Sequence, residues 1–328
     1  MTCKENIREI FLASLAFLII LFVLGMLHGC GRENSDNNSG TETKIYVADT
    51  ITSRILRMND MTGTAWTTFG ANGSGTNQFA SPYGVFVDTA GKIYVADEGN
   101  SRIVRIDDMT GTGWTTLGAN GSGTNQFNFP DGIFVDKAGK IYVTDANNNR
   151  IVRMNDMAGT NWTTLGSLGS GANELDGPAG IFVDTSGKIY VTDFNNDRII
   201  QMDDITGTNL TTLGTSGSGT NQFSHPEGIF VDTAGRIYVT DASNNRIVRI
   251  DDMTGAGWTT LGTNGTGINQ FHAPYGIFVD AAGRIYVADA LNNRIVRIDD
   301  MMGTDWTALG TSGTGTNQFT IPFGIFLR

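Results

Sequence analysis

A unit of 48 residues recurs along nearly the whole chain without insertion, and this limits the possible folds more than any other feature. The clearest copy covers 84–130, and its leading glycine returns at Gly132, Gly180, Gly228, Gly276 and Gly324. Repeats of this period mark arrays in which no unit can bury its own hydrophobic face, so each must be covered by its neighbours. Within the unit, four short apolar runs (84–87, 92–96, 102–106 and 114–117) are separated by turn-forming Asp, Gly, Ser and Asn. Such runs, rich in Ile, Val and Tyr, are strands, not helices. One unit therefore predicts one four-stranded antiparallel sheet. The first run is apolar at consecutive positions and reads as buried on both faces. The third mixes Arg with β-branched residues and is expected to be less buried.

Sheets that stack on copies of themselves make either an open solenoid with polar caps or a closed ring. Counting back 48 residues from Gly84 reaches Asp36 in a polar stretch, so the first unit lacks its first strand; the last residues, Gly324 to Leu327, are a first strand with no others after it. The two fragments make one unit, and 41–328 divides into six. The expectation is an all-β fold, a closed six-bladed β-propeller whose C-terminal strand completes the first blade.

Residues 1–40 share nothing with the repeat. An apolar stretch at 10–27 follows Lys4 and Arg8, and reads as an export signal or a membrane span. Leu27-His28-Gly29-Cys30 resembles the lipobox of bacterial lipoproteins, which implies lipidation of Cys30 and a propeller held outside the cytoplasm, while retention as an uncleaved anchor is the other reading. In a host with an outer membrane, Gly31 after the cysteine implies that membrane. Residues 30–42 then form a polar tether, whose twelve residues after Cys30 reach about 20 Å as a flexible coil, and 43–328 form the propeller. The only other cysteine is Cys3, so the propeller has neither thiol nor disulfide.

The chain carries a net charge of −11, and the charges of 1–29 cancel. Binding a phosphate backbone needs concentrated positive charge, which argues against a nucleic-acid partner.

The segments 140–153 (KIYVTDANNNRIVR) and 236–249 (RIYVTDASNNRIVR), each preceded by P-x-G-I-F-V-D, resemble the NHL repeat, and weaker copies extend the resemblance over 41–328. The resemblance implies a six-bladed propeller that binds protein, RNA or carbohydrate, with lyase chemistry in one branch; such a fold does not choose among these activities.

Each unit holds an Asp and an Arg five residues apart: Asp49 and Arg54, Asp97 and Arg102, Asp145 and Arg150, Asp193 and Arg198, Asp241 and Arg246, Asp289 and Arg294. The pairs bracket the turn between second and third strands, and their presence in every unit marks them as structural charge-assisted hydrogen bonds. Asp145, Asn147 and Asn149, like Asp193, Asn195 and Asp197, begin as a calcium loop does, but Arg150 stands where that loop needs glycine and Asp156 where it needs glutamate. The tryptophans at 66, 114, 162, 258 and 306 are replaced by Leu210 in one unit, as packing residues can be.

Ligand binding is sought where the units disagree. The residue before each leading glycine is Tyr83, Asp131, Ala179, Glu227, Tyr275 or Phe323, and Phe129, Phe194, His225, His272 and Leu291 vary nearby. In a propeller these positions surround the mouth of the central channel. Aromatic and acidic side chains there suit a sugar, a peptide or a cationic group. The leading expectation is a monomeric, non-catalytic, membrane-tethered propeller that binds a protein or glycan through these loops, without a cofactor. Alternatives are a structural envelope component and an enzyme similar to the metal-dependent lyases or lactonases on six blades. The two histidines at unequal offsets from their glycines, His225 and His272, are a poor match to the metal sites of those lyases.

Overall fold

The computed structural model describes residues 43–328. Chain contacts divide the protein into 1–42 and Thr43–Arg328, and the following concerns the second unit. The expectations for the export segment and for Cys30 lie outside the described residues.

Six four-stranded antiparallel sheets succeed one another around a central axis. The second blade shows the pattern: an inner strand Pro82–Val87, then Ile93–Asp97, Arg102–Ile106 and an outer strand Thr115–Leu117. In the first blade the inner strand is Pro322–Leu327. It pairs antiparallel with Ile45–Asp49, placing Ile45 opposite Leu327, Tyr46 opposite Phe326 and Val47 opposite Ile325. The last strand of the chain thus closes the first blade, as the repeat count predicts.

Two features of the inner strands explain how six sheets meet at one axis. A β-carbon on Gly180 would lie 2.4 Å from the Glu227 carbonyl oxygen of the next blade, and one on Gly324 would lie 2.5 Å from the Tyr83 carbonyl oxygen. Any side chain would hold neighbouring strands apart, so the repeated glycine is a packing requirement. Two residues further on, Phe86, Phe134, Phe182, Phe230, Phe278 and Phe326 form an unbroken circle of aromatic contacts with centroids 4.5–5.2 Å apart. Their tilted to edge-on geometry is one that aromatic pairs favour. These rings form a collar around the axis.

Burial reverses one expectation. The apolar residues of the third strands, such as Ile103, Val104 and Ile106, are wholly buried, whereas the inner strands are only partly so. The third strand is sandwiched between two blades and exposes only its arginines, with Gln201 in place of one of them in the fourth blade; the inner strand borders the channel.

The six Asp–Arg pairs all form, with Arg Nε to Asp Oδ2 distances of 2.7–2.8 Å. They also do more than bracket a turn. The second oxygen of each aspartate accepts a backbone N–H at the base of an interblade loop, as from Ser224 to Asp241 at 2.7 Å. The arginine meanwhile donates to carbonyls within that loop, as Arg246 does to Ser218 and Gln222. The glycine-rich loops are therefore pinned, and each tucks in an apolar residue at its end: Phe79, Phe127, Phe223, Phe271 and Phe319 are fully buried, and Leu175 nearly so. Trp114, Trp162, Trp258 and Trp306 lie beneath the arginines at 5.6–6.0 Å, a cation–π arrangement, consistent with the packing role expected of the series.

Candidate functional site

Within a blade the inner strand runs away from the face where the interblade loop enters, and the second strand runs back to it. The residue before each leading glycine therefore stands at the channel mouth, beside the turn between second and third strands.

Ring closure sorts these six positions into two arcs. Tyr275, Phe323 and Tyr83 come from the sixth, first and second blades, and Phe323 lies between the two tyrosines with ring centroids 4.4 and 3.9 Å away. Asp131, Ala179 and Glu227 come from the third, fourth and fifth blades and complete the circle. One side of the mouth is aromatic and the other acidic. Between them is a cavity of about 90 Å³, lined by Asp131, Glu227, Tyr275 and Phe323 above the inner-strand glycines.

The acidic side is poorly compensated. Glu227 is only 5% exposed and Asp131 is half-buried, yet among the described residues neither carboxyl makes a hydrogen bond or an ion pair. Glu98 lies at the start of a short 3₁₀ turn of the second blade, Glu98–Asn100. Burial raises all three carboxyls: Glu98 to about 7, Asp131 well above its usual range with a further push from Glu98, and Glu227 likewise with pushes from Asp131 and Glu98. Burial also raises Tyr83, with pushes from Glu98, Asp131 and Glu227, and Tyr275, with pushes from Glu227 and Asp131, which keeps both phenols neutral hydrogen-bond donors. A desolvated group with no opposite charge nearby favours its neutral form. Among the described residues, no group of three or more His, Cys, Asp or Glu side chains is placed to hold a metal ion.

A second, larger hollow of about 260 Å³ adjoins the first, with Tyr275 on the wall of both. Phe194, His225, His272 and Leu291 line it together with Ser243. The His225 ring lies against Phe194 at 4.6 Å, and its Nδ1 is 3.1 Å from Ser243 Oγ. The backbone N–H groups of both histidines serve the fold: that of His225 donates to Asp197 and that of His272 to Asp289.

Most of the residues singled out at the channel mouth thus fall into two adjoining places. Asp131, Glu227, Tyr275, Phe323 and Tyr83 meet at the mouth, and Phe194, His225, His272 and Leu291 meet beside it. Phe129 is 44% exposed on the rim. Sequence reasoning missed Glu98. Its signal was available, because the residue after the paired aspartate is Thr50, Ala146, Phe194, Ala242 or Ala290 in the other units and acidic only here.

The family profile described as "NHL repeat" matches residues 127–154 and 223–250. No curated protein sequence matches the chain. Among solved structures, a chain from a nidogen/laminin complex superposes with a TM-score of 0.67 at 22% identity, covering 87% of this chain and 98% of that one. A protein of unknown function from Bacteroides caccae gives 0.64 at 15% identity, covering 88% and 99%. A virginiamycin B lyase from Staphylococcus aureus, in a structure with quinupristin, gives 0.53 at 17% identity, covering 79% and 82%. At these identities the likeness is one of fold. The chain carries NHL repeats and is a six-bladed β-propeller.

Proposed function

We propose that this chain is a non-catalytic binding propeller, tethered outside the cytoplasm through Cys30, that takes a protein or glycan ligand on its channel-mouth face. The observation that carries this reading is the segregation of aromatic and acidic side chains at six positions that the repeat makes equivalent. Positions that serve only the blade, such as the Asp–Arg pairs, do not vary, whereas these vary in every unit except for the recurrence of tyrosine at 83 and 275. Exposed large hydrophobic residues support the choice of face. Among the described residues, Ile51, Phe129, Leu168, Ile268 and Leu291, all at least 42% exposed, lie in the interblade loops or in the turns between second and third strands, and only Met302 lies in an opposite turn. They are spread singly around the rim, so what favours this side is their restriction to one face.

The test is photocrosslinking in cells from Phe129 and Leu291, with Asp108 and Asp252 in the exposed opposite turns as controls. One partner captured repeatedly from the first pair alone supports the reading; equal capture from both pairs, or none, removes it. The tether has its own test: Cys30→Ser should abolish labelling by radioactive palmitate, and persistent labelling would remove the lipoprotein assignment.

A lyase reading draws on two observations. Lyases are among the matching folds, and His225 and His272 open onto one hollow beside Tyr275, where a histidine could act as a base. Failure of the purified protein to consume quinupristin would remove the best-specified version of it.

A further inference from the structure

The two hollows differ in what they can admit, and the smaller has a chemistry that the larger lacks. Its volume of about 90 Å³ is below the roughly 150 Å³ of an apolar cavity that takes up a benzene ring, so it suits a slender group such as a charged head and the methylenes behind it. Glu227 faces this space almost fully buried and without a hydrogen-bond partner. Asp131 faces it from two blades away, and Glu98 adds its charge to both. No arginine, lysine or histidine among the described residues pairs with any of the three. The opposite wall is formed by Tyr275 and Phe323, with Tyr83 packed behind Phe323; aromatic rings of this kind attract cations.

We propose that the channel mouth is a pocket for a primary ammonium group on an unbranched alkyl chain. The ammonium hydrogens are shared between the Glu227 and Asp131 carboxylates, and the methylenes lie against Phe323 and Tyr275. A divalent cation is the less suitable occupant, since the acids are not placed as a metal-ligating group, whereas an ammonium carries its charge on one atom and tolerates spaced acceptors. Two sources present this chemistry, a lysine side chain of a docked protein and a free amine. The proposal rests on the channel-mouth reading above and specifies the ligand group it recognises.

Seating a cation there favours the ionised carboxyls, so binding releases protons. The groups that titrate around it are Glu98, Asp131 and Glu227, with Tyr83 and Tyr275 on the facing arc.

The experiment is calorimetric titration of the full propeller with Nα-acetyl-lysine amide, with its uncharged analogue Nα-acetyl-norleucine amide and with 1,5-diaminopentane, each at neutral pH in two buffers of different ionisation enthalpy. The lysine derivative should bind with proton release and the norleucine derivative should not bind. Glu227→Gln should weaken binding by about 30-fold or more, because it removes one partner of a buried charge pair, and Asp131→Asn is the second variant should the first fail to fold. Tighter binding of the lysine derivative than of the diamine assigns the site to a protein side chain, and the reverse assigns it to a free amine. Absence of binding by both amines, equal binding of the norleucine derivative, or undiminished binding by Glu227→Gln and Asp131→Asn overturns the proposal. Crosslinking from Phe129 and Leu291 separates the two levels: a captured partner with no amine binding leaves the docking face standing and removes only the ammonium pocket.

Discussion

Replacing Phe326 by alanine measures whether the ring is closed. Phe326 belongs to the last strand and touches Phe86 of the second blade at 4.5 Å and Phe278 of the sixth at 5.2 Å. Phe182 is its equivalent in mid-chain, between Phe134 at 5.1 Å and Phe230 at 4.9 Å. A fully buried Phe→Ala change costs about 3–5 kcal/mol. Both rings are half-buried, which brings the burial part to about 2–3 kcal/mol, and two lost aromatic pairs add about 0.5–1.5 kcal/mol each. The sum is about 3–6 kcal/mol, a large share of a typical net stability of about 5–15 kcal/mol. At about 2–4 °C per kcal/mol for a domain of this size, Tm should fall by about 6–24 °C. A terminal strand that frays contributes little, whereas a strand that closes a ring contributes as much as one in mid-chain. Phe326→Ala and Phe182→Ala should therefore lower Tm equally, to within about 1 kcal/mol in stability. Thermal unfolding followed by circular dichroism decides it. If Phe326→Ala melts within about 2 °C of the wild type while Phe182→Ala shows the full drop, the ring is not held closed by its last strand.

Three further predictions follow from the same geometry. Gly180→Ala sets a β-carbon against the Glu227 carbonyl at 2.4 Å, whereas a β-carbon at Gly139 meets nothing within 4 Å and strains only a φ of +83°; in urea unfolding the first should lose several kcal/mol and the second about 1–2, and equal losses would refute the packing role of the inner glycines. Asp241→Asn removes the countercharge of a mostly buried Arg246 and should cost about 3 kcal/mol while exposing the loop 216–223 to limited proteolysis; an unchanged cleavage pattern would show that the pair does not pin the loop. For pH, the raised carboxyls of Glu98, Asp131 and Glu227 bind protons in the folded state that the unfolded chain has already released. Their contribution is therefore fully present below the unfolded carboxyl range of about 4 and is lost as pH rises through the folded values, which for Glu98 means about 7. Tm should fall between pH 5 and 8, and Glu227→Gln should flatten that fall; a Tm that rises over the window would contradict the burial of uncompensated acids.

Strand positions, blade number and the structural aspartates and arginines were legible because they repeat, and a repeated residue serves something that every unit needs. Two features are invisible within a single unit. The third strand looked half-exposed because its arginines were visible in sequence and the neighbouring blade was not. Glu98 passed unnoticed because a single glutamate in a turn is ordinary until burial makes it costly.

Sequence alone determined that the protein is an array of six equivalent sheets, and that any specificity resides where the units differ. What it did not contain is which differences face one another. Tyr83 and Phe323 are 240 positions apart in the chain, yet their rings are 3.9 Å apart; Phe86 meets Phe326 across the same closure. The division of the mouth into aromatic and acidic arcs, the collar of phenylalanines beneath it and the unpartnered carboxyl of Glu227 exist only when the last strand joins the first blade. Local strand propensity is set by neighbours in sequence, whereas the field and the shape of a pocket are set by neighbours in space.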